Sequence, residues 1–560
     1  MNGGIDLKTL ICAINSKFIH SSLAVWCLAG ALEKWASDVE YDIFEGTINE
    51  NIDNTCEKLT LGNYELVAFS TYIWNVSYVK ELARRVKEKT GAKILLGGPE
   101  VSYNAKEVLE ECQYVDYIIS GEGEEPFSML AQGRNFDQIP GLCYRTGDKI
   151  IVKEPYVSME NPPSPYVEKY FNALNGRIAY IETSRGCPYR CAFCLSGRCG
   201  GVRFFDLDES KQKIILLANS GTKTVKFIDR TFNADRKRAI EIFEFIIDEY
   251  GKKVPKSVCF HFEIEGELID DKTIEVLKKA PKGLFQFEIG LQTFNEKTLE
   301  HINRKTDLKK LTYNIKRIIE LENIHVHIDL IAGMTYEDME SFEKSFNKAL
   351  SLKPDMLQLG FLKLLHGADM REDGEKYKCE FSPTPPYEVI STEHMSKKEL
   401  QELHILEDVF EKLYNSSRFE RTCEYVFSLY SSSFKILMEL ALFVEKSNIP
   451  NNLDLFTKAV YDFFSKKKEV NPSKLRDCMA LDRLSTNRMG TLPDFLKVHS
   501  PIIKEYLTLL EKSKDTKIPQ NVKRAATVLL SENKFIYVDY QNPDKIKNSY
   551  KIIEKIIKSD

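Results

Sequence analysis

Three cysteines near the middle of the chain have the spacing of a metal-binding loop. Cys187, Cys191 and Cys194 follow a C-x3-C-x2-C pattern directly after a predicted strand. Three thiolates on so short a loop can each bind one iron of a [4Fe–4S] cluster, which leaves the fourth iron open to a small molecule. The spacing therefore predicts an iron–sulfur cluster with an open coordination site.

A structural zinc site is the alternative for the same loop. Zinc takes four ligands, and Cys199 could complete a set with the three cysteines of the pattern. Zinc-binding knuckles, however, normally pair two C-x-x-C units, and here the loop is followed by a series of βα units. We therefore expect the cluster, with Cys199 an ordinary thiol near the loop.

Six predicted strands, beginning just before the cysteines, indicate a parallel barrel. They are Ile178–Thr183, Val225–Asp229, Val258–Glu263, Leu284–Gly290, His325–Ile331 and Met356–Phe361. Amphipathic stretches such as Arg236–Tyr250 and Glu337–Leu352 separate them. Residues 176–395 are therefore predicted to form a partial (β/α)6 barrel, whose chemistry would lie at the carboxyl ends of the strands.

The first 135 residues alternate in the same way but have no cysteine loop. The predicted strands are Leu7–Ile14, Val39–Phe44, Leu66–Ser70, Lys93–Gly97 and Tyr117–Ser120, and the helices are Ser21–Trp35, Val76–Thr90 and Ala105–Glu111. This pattern predicts a flavodoxin-like or Rossmann-like parallel sheet, which binds ligands at its carboxyl edge. Three loops at that edge are rich in glycine or small polar residues: Ser70-Thr71, Gly97-Gly98-Pro99 and Gly121-Glu122-Gly123-Glu124. Turn chemistry explains any one of them, but three together favour a ligand.

The rest of the chain is predicted from composition and pattern. Residues 136–175 contain the segment Asn161–Pro165, with three prolines, and are expected to be a linker, whereas residues 396–560 are mostly helical with one late strand, Phe535–Tyr540. The net charge of −5 provides no overall basic surface for nucleic acid. No apolar run reaches the ~18 residues of a membrane span and no signal peptide is evident, so we expect a cytoplasmic protein with reduced thiols.

The cysteine segment, with Phe193 immediately before the third cysteine, resembles the signature loop of the radical S-adenosylmethionine (SAM) superfamily. The resemblance implies that the open iron binds the amino and carboxylate groups of SAM. An electron from an external donor such as a flavodoxin or a ferredoxin would then cleave SAM to a 5′-deoxyadenosyl radical. It also implies SAM-binding residues on the loop and at the ends of the barrel strands: Phe193, Asp229, Glu263, Gln292 and Asp329.

The order of the domains resembles that of the cobalamin-binding radical SAM family, whose first domain holds cobalamin over the cluster. By this resemblance the three loops of the first sheet contact cobalamin, through Ser70, Thr71, Gly97, Gly98, Pro99, Gly121, Glu122 and Gly123. The helical remainder resembles a C-terminal extension found in one uncharacterised subgroup. The chain departs from the D-x-H-x-x-G motif that donates an axial histidine, because Phe18 and Leu23 flank His20 in place of Asp and Gly. We therefore expect no cobalt–His20 bond.

These resemblances imply a cobalamin-dependent enzyme that transfers a methyl group to an unactivated carbon. A radical rearrangement or cyclisation remains open. A methylthiotransferase is the second alternative, since Cys12, Cys27, Cys56, Cys112 and Cys143 could supply a second cluster. Yet Cys27 and Cys12 lie inside a predicted helix and strand, as buried thiols do. A zinc-stabilised binding module is the third alternative. The sequence identifies neither the substrate nor the oligomeric state.

Overall fold

A computed structural model of the chain describes residues 8–488, 491–498, 501–512, 526–532 and 534–556. Within them, a mostly parallel α/β sheet comes first, a six-stranded parallel half-barrel second and a mostly helical region last. The fold class predicted from the sequence is confirmed. No helix in these ranges is both long and apolar enough to span a membrane.

The first sheet has seven strands. They are β1 (Thr9–Asn15), β2 (Tyr41–Thr47), β3 (Leu66–Ser70), β4 (Lys93–Gly97), β5 (Tyr117–Ile119), β6 (Leu142–Thr146) and β7 (Lys149–Ile151). Its helices are α1 (Leu23–Trp35), α2 (Ile52–Thr60), α3 (Val76–Thr90), α4 (Pro99–Ser102), α5 (Ala105–Glu111) and α6 (Glu124–Ala131). The strand order is β2-β1-β3-β4-β5-β6-β7, and β1 to β5 are parallel. The loops after β3, β4 and β5 therefore meet at one edge.

The segment expected to be a linker, 136–175, ends in a helix, Glu168–Leu174, and contains two strands in its first half. There, β6 pairs antiparallel with β5, and β7 pairs antiparallel with β6, so both strands extend the first sheet. The turn between them contains Gly147 at φ +56°, a backbone conformation that glycine adopts at low cost. The chain crosses to the barrel only after this hairpin.

The second sheet is the half-barrel. In chain order the elements are α7 (Glu168–Leu174), β8 (Ala179–Ile181), β9 (Ser184–Gly186), β10 (Val202–Phe204), α8 (Leu207–Ala218), β11 (Thr224–Phe227), α9 (Arg236–Glu249), β12 (Cys259–Ile264), α10 (Asp271–Leu277), β13 (Phe285–Gln292), α11 (Glu296–His301), α12 (Leu308–Ile319), β14 (His325–Ala332), α13 (Met339–Ser351) and β15 (Met356–Phe361). All neighbours in the order β15-β14-β13-β12-β11-β8 are parallel. Strands β9 and β10 form a separate antiparallel pair that encloses the cysteine loop.

Two features of the sequence fix the barrel. Every helix from α8 to α13 starts at a residue whose side chain caps its first turn: Asp206, Asp235, Asp270, Asn295, Asp307 and Asp338. On the strands, buried residues alternate with partly exposed ones, and the buried set on β11 to β13 includes five phenylalanines: Phe227, Phe260, Phe262, Phe285 and Phe287. Their rings pack against one another, stacked between Phe227 and Phe262 and edge-on between Phe262 and Phe287, so the intervening polar side chains face the barrel interior.

The last region packs on the barrel. It contains α14 (Asp369–Glu372), α15 (Gly374–Tyr377), β16 (Cys379–Phe381), β17 (Val389–Thr392), α16 (Lys397–Phe410), α17 (Glu420–Phe427), α18 (Ser433–Lys446), α19 (Leu453–Phe464), α20 (Pro472–Thr486), α21 (Pro501–Lys512), β18 (Ala526–Leu529), β19 (Lys534–Asp539) and β20 (Lys551–Ile556). Strands β18 to β20 form a small antiparallel sheet. Apolar residues of these helices continue the same buried core as the barrel and one face of the first sheet.

Candidate active site

The cysteine loop is held from both sides by backbone hydrogen bonds. The amide of Ala192 donates to the carbonyl of Ile302 at 2.8 Å, and the carbonyl of Ala192 accepts from Met370 at 3.0 Å. Gly197 lies so close to the loop that a Cβ there would be 2.2 Å from the carbonyl oxygen of Tyr189. The loop is therefore a packed structure with a defined position, although it has little regular secondary structure.

Each of the three thiols contacts a hydrogen-bonding group. The Cys187 sulfur lies 3.3 Å from the Thr231 hydroxyl, the Cys194 sulfur accepts from the amide of Ser196 at 3.4 Å, and the Cys191 sulfur accepts from a guanidinium at 3.7 Å. The donors to Cys191 and Cys194 favour thiolates, the form in which cysteines bind a cluster.

The thiols do not converge on one point. Across the described part of the chain, no three His, Cys, Asp or Glu side chains are placed to hold a single metal ion. The thiolates of one zinc all lie about 2.3 Å from the same ion, whereas three cysteines of a cubane bind different irons and stand further apart. The side chain of Cys199, the fourth ligand of the zinc alternative, lies outside the described residues.

One cavity of about 1110 Å³ joins the cysteine loop to the first sheet. Its wall includes Cys191 and Cys194 on one side, and seven residues predicted to contact cobalamin on the other: Ser70, Gly97, Gly98, Pro99, Gly121, Glu122 and Gly123. Sites for single small ligands measure about 300–1,000 Å³, so the cavity has room for more than one ligand.

Two aromatic residues that we did not single out from the sequence line the same cavity. The rings of Tyr72 and Trp74 are stacked with their centroids 4.4 Å apart, and Trp74 is 48% exposed. They follow β3 directly, so they extend the loop that begins at Ser70. An exposed aromatic stack offers an apolar face to a flat ligand.

The glycine loops are shaped mainly by contacts within the protein. Gly98 has φ +109°, and a Cβ there would lie 2.5 Å from the carbonyl oxygen of Thr71. Thr71 itself is fully buried behind the cavity wall, where its hydroxyl donates to the carbonyl of Gly97 at 2.7 Å. Gly121 at φ +89° lets Tyr156 pass alongside, with 2.2 Å between its carbonyl oxygen and a Cβ at Gly121.

Alanine at Gly98 and at Gly97 is expected to act differently. Gly98→Ala combines a clash with left-handed backbone, which costs about 1–2 kcal/mol for a residue with a Cβ, so the melting temperature should fall. Gly97→Ala meets nothing closer than 3.8 Å and needs no unusual φ, so folding should be preserved while the added methyl narrows the cavity. We expect a weaker cobalamin affinity in Gly97→Ala at an unchanged melting temperature. Calorimetry and a cobalamin titration would measure both, and unchanged affinity would exclude close ligand approach at Gly97.

The cavity wall at the boundary between sheet and barrel carries a network of charges. Arg185 of β9 binds Glu122 at 2.7 Å, Glu124 at 2.8 Å and Glu182 at 2.7 Å. Burial alone would raise the pKa of Glu124, but the charge of Arg185 outweighs it and the pKa lies below its usual range. Arg203 of β10 also binds Glu122, at 2.8 Å. The strands that flank the cysteines are thus bound to the predicted cobalamin loops.

The residues predicted to bind SAM occupy different places. Glu263 lines the cavity, and burial raises its pKa to about 7. Asp229 is fully buried, and its carboxylate accepts hydrogen bonds from Thr183 and Ser184, so it supports the strand before the cysteine loop. Phe193 is partly buried and packs on the main core.

Two further residues predicted to bind SAM lie on β13 and β14. Gln292 ends β13 at a β-bulge, with a strained φ of +70°. Asp329 on β14 lies 2.9 Å from the Nε2 atom of His327. Neither residue is part of the wall of the large cavity.

The barrel interior contains a polar cluster that we did not predict. Glu288 accepts from His261 at 2.9 Å and lies 3.3 Å from the ammonium of Lys226. Burial alone would raise the pKa of Glu288, but His261 and Lys226 bring it down to about 2. Parallel-barrel interiors are usually filled with branched apolar residues. The interior of this barrel is polar instead. The polar residues that alternate along β11 to β14 could have indicated this from the sequence.

His20 lies in the cavity wall and is engaged by the barrel. Its Nδ1 atom is 2.7 Å from the hydroxyl of Tyr180, and its backbone pairs with Ile178. Burial, together with the charges of Lys17 and Lys226, lowers the pKa of His20. Through this hydrogen bond the imidazole links the first sheet to the barrel.

We expect His20→Ala to leave the absorbance spectrum of bound cobalamin unchanged, because the chain lacks the carboxylate that would orient an axial histidine. The spectrum of the reconstituted protein measures this directly. The matched control is His404→Ala, because His404 on α16 is not among the residues lining the cavity. A shift to a five-coordinate, base-off spectrum in His20→Ala alone would show that His20 is the ligand.

Three family models match consecutive parts of the chain. The B12 binding domain matches residues 9–131, the Radical SAM superfamily matches residues 181–349, and the family described as a protein of unknown function (DUF4080) matches residues 375–553. The chain is a radical SAM protein with a B12-binding domain. The family expected from the sequence is confirmed, including its C-terminal extension, and with it the expected cofactors: cobalamin, SAM and a [4Fe–4S] cluster.

The relatives include enzymes named for different reactions, methyl transfer and cyclisation. The 2-(S-pantetheinyl)-carbapenam-3-carboxylate methyltransferase of Streptantibioticus cattleyicolor is 27% identical over 51% of this chain and 45% of its own length. The cobalamin-dependent radical SAM methyltransferase TokK of Streptomyces tokunonensis is 25% identical over the same shares. The anaerobic magnesium-protoporphyrin IX monomethyl ester cyclase of Cereibacter sphaeroides is 25% identical over 59% and 56%. The chain thus spans about half the length of these relatives.

Solved structures support the fold. The cobalamin-dependent SAM radical enzyme OxsB, with aqua-cobalamin and SAM bound, has a TM-score of 0.58 and 13% identity, covering 90% of this chain and 80% of OxsB. The radical SAM methyltransferase TsrM of Kitasatospora setae has a TM-score of 0.56 and 17% identity, covering 68% and 76%. At these identities the likeness is one of architecture.

Proposed function

We propose that the protein is a cobalamin-dependent radical SAM methyltransferase that methylates an unactivated carbon of a still unidentified substrate. One observation carries the proposal: a single cavity is lined both by Cys191 and Cys194 and by the loops of the B12-binding domain. A methyl donor and a radical generator held in one cavity can act on the same substrate carbon. The two methyltransferase relatives support the same outcome.

The protein's own residues bind and orient the reactants. When bound, the cofactors would supply a radical that removes hydrogen from carbon and the methyl group that replaces it. Cys187, Cys191 and Cys194 would hold the cluster, and the loops after β3, β4 and β5 would hold cobalamin. Glu263 in the cavity wall, with its pKa of about 7, can donate or accept a hydrogen bond. The charge network of Arg185 keeps the two halves of the cavity together.

An external electron donor, such as a flavodoxin or a ferredoxin, completes the proposed cycle, because reductive cleavage of SAM consumes one electron. We also assign the protein to the cytoplasm. Every cysteine side chain that the structure describes is a free thiol, and thiols persist in a reducing compartment.

A cyclisation or rearrangement is the second candidate, because the magnesium-protoporphyrin ester cyclase is a relative over a larger share of this chain. Methylthiotransfer has less support. Four of the cysteines that could bind a second cluster, Cys12, Cys56, Cys112 and Cys143, are dispersed through one apolar core. The fifth, Cys27, is nearly buried on α1.

The test separates these reactions by their products. We would reconstitute the protein without oxygen, measure iron and cobalt, and then supply SAM, a reductant and fractionated small molecules. Methyl transfer predicts about four irons, stoichiometric cobalt, and both S-adenosylhomocysteine and 5′-deoxyadenosine in the presence of substrate. 5′-Deoxyadenosine without S-adenosylhomocysteine would favour the cyclisation, twice the iron would favour methylthiotransfer, and a colourless zinc protein would refute the proposal.

A further inference from the structure

Arg304 touches one of the three cysteines from within the protein. It follows α11, and its side chain is only 9% exposed. One guanidinium nitrogen, Nη1, donates to the Cys191 sulfur at 3.7 Å, while the other, Nη2, donates to Glu265 at 2.9 Å and to the carbonyl of Gly290 at 2.6 Å. Arg304 is not among the residues lining the large cavity, so it contacts Cys191 from outside the wall of that cavity.

The position of this guanidinium is fixed by the barrel. The backbone of Glu265 is clamped by Asn233, whose side chain accepts from the Glu265 amide at 2.8 Å and donates to its carbonyl at 2.9 Å. Gly290 lies on β13 beside the bulge. The loop that carries Arg304 is bound to the cysteine loop through the Ala192–Ile302 hydrogen bond. Arg304 therefore cannot leave Cys191 without disturbing the ends of two strands.

Arg304 remains a cation in this buried position. A guanidinium stays protonated in proteins, and the Glu265 carboxylate lies 2.9 Å from it as a counter-ion. Its Nε atom and the Oε1 atom of Glu265 are both buried without a hydrogen-bond partner. The pair is thus retained despite incomplete hydrogen bonding, which costs free energy. A role other than packing would account for its presence.

We propose that Arg304, acting through the Cys191 thiolate, raises the reduction potential of the cluster, and that Glu265 partly offsets this effect. Reduction adds negative charge, and a fixed cation next to a ligand sulfur stabilises the reduced form more than the oxidised one. A carboxylate 2.9 Å from that cation weakens its field. The inference rests on the proposed cluster, and it makes Arg304 a positioning and tuning residue.

Replacing Arg304 and replacing Glu265 should shift the reduction potential of the cluster in opposite directions, so the direction of each shift tests the proposal. Iron per chain is measured first, and then the midpoint potential of the cluster is obtained by EPR during a redox titration without SAM. In Arg304→Met, the ratio of reduced to oxidised cluster at a fixed potential should fall at least about tenfold, which corresponds to about 59 mV for a one-electron couple. In Glu265→Gln it should rise. Arg304→Lys, which keeps the charge, should lie between Arg304→Met and the unchanged protein.

Arg317→Met is the matched control, because Arg317 on α12 pairs with Asp271 at 2.7 Å and is not among the residues lining the large cavity. The cluster potential of this variant should not change. Full iron in Arg304→Met with an unchanged potential would overturn the proposal. If Arg304→Met binds no iron, the result for Glu265→Gln decides. A cluster in Glu265→Gln that is intact but has an unchanged or lower reduction potential would also overturn the proposal. An unchanged protein that binds no cluster would instead refute the proposed function.

Discussion

Cys187→Ala, Cys191→Ala and Cys194→Ala should each abolish cluster binding and SAM cleavage. Each thiolate binds a different iron, and with only two protein ligands the cluster is neither held nor left with one defined open site. The expected result is loss of nearly all iron and sulfide after anaerobic reconstitution, measured per chain together with the charge-transfer absorbance. The melting temperature should change little for Cys187→Ala and Cys194→Ala, because both side chains are partly exposed.

Two further cysteine variants control this experiment. Cys379→Ala removes a partly exposed thiol on β16, far along the chain from the loop, and should keep the full cluster. Cys199→Ala should do the same, and loss of metal from it would revive the four-cysteine zinc site. A protein that keeps a complete cluster after losing any one of the three loop cysteines would contradict the assignment of the ligands.

The strands that were predicted most accurately are those whose boundaries are set locally. Leu66–Ser70, Lys93–Gly97 and Met356–Phe361 have the predicted limits, because each is a short, mostly apolar run. The first stops at a polar residue and the second at a glycine. The hairpin of β6 and β7 was missed because it exists through pairing with the edge strand β5. Nothing local in Leu142–Thr146 distinguishes such an edge strand from a linker.

The residues of the candidate site also divide into those that the local sequence identifies and those that only the fold brings together. The cysteine loop and the glycine loops could be found by spacing and by their position after strands. Arg304 could not, because its contacts with Cys191, Glu265 and Gly290 join segments up to 113 residues apart. Asp229 illustrates the opposite case. Its place at the end of a strand suggested a ligand contact, but burial directs its carboxylate to Thr183 and Ser184.

A buried ion pair joins the first sheet to the barrel. Arg177, just before β8, binds Glu45 on β2 through both guanidinium nitrogens, at 2.9 and 3.1 Å. The side chains are 7% and 8% exposed. Glu45 also accepts from the Trp26 indole at 2.8 Å, and Arg177 donates to the carbonyl of Ala173 at 2.7 Å. The pair is therefore fully engaged in a place that water barely reaches.

Arg177→Met should lower the free energy of unfolding by about 3–5 kcal/mol, because it leaves the Glu45 carboxylate buried and unpaired. Urea denaturation followed by hydrogen exchange would measure the effect, with the loss of protection expected in β1 and β2. Arg84→Met is the control. Its guanidinium is 40% exposed and pairs with Glu81 and Glu88 on α3, so it should cost less than about 1 kcal/mol.

The double variant Glu45→Met/Arg177→Met tests the cause of the loss. Replacing both charges by apolar side chains removes the unpaired carboxylate, so the double variant should be more stable than Arg177→Met alone. If the double variant instead lost as much stability as the two single variants combined, as expected for independent sites, the lost packing of Arg177 would be responsible. Recovery of stability in the double variant, relative to Arg177→Met, would show that the pair is needed to neutralise a charge buried where the first sheet meets the barrel. In that case the ion pair contributes to the cavity by holding the predicted cobalamin loops opposite the cysteine loop.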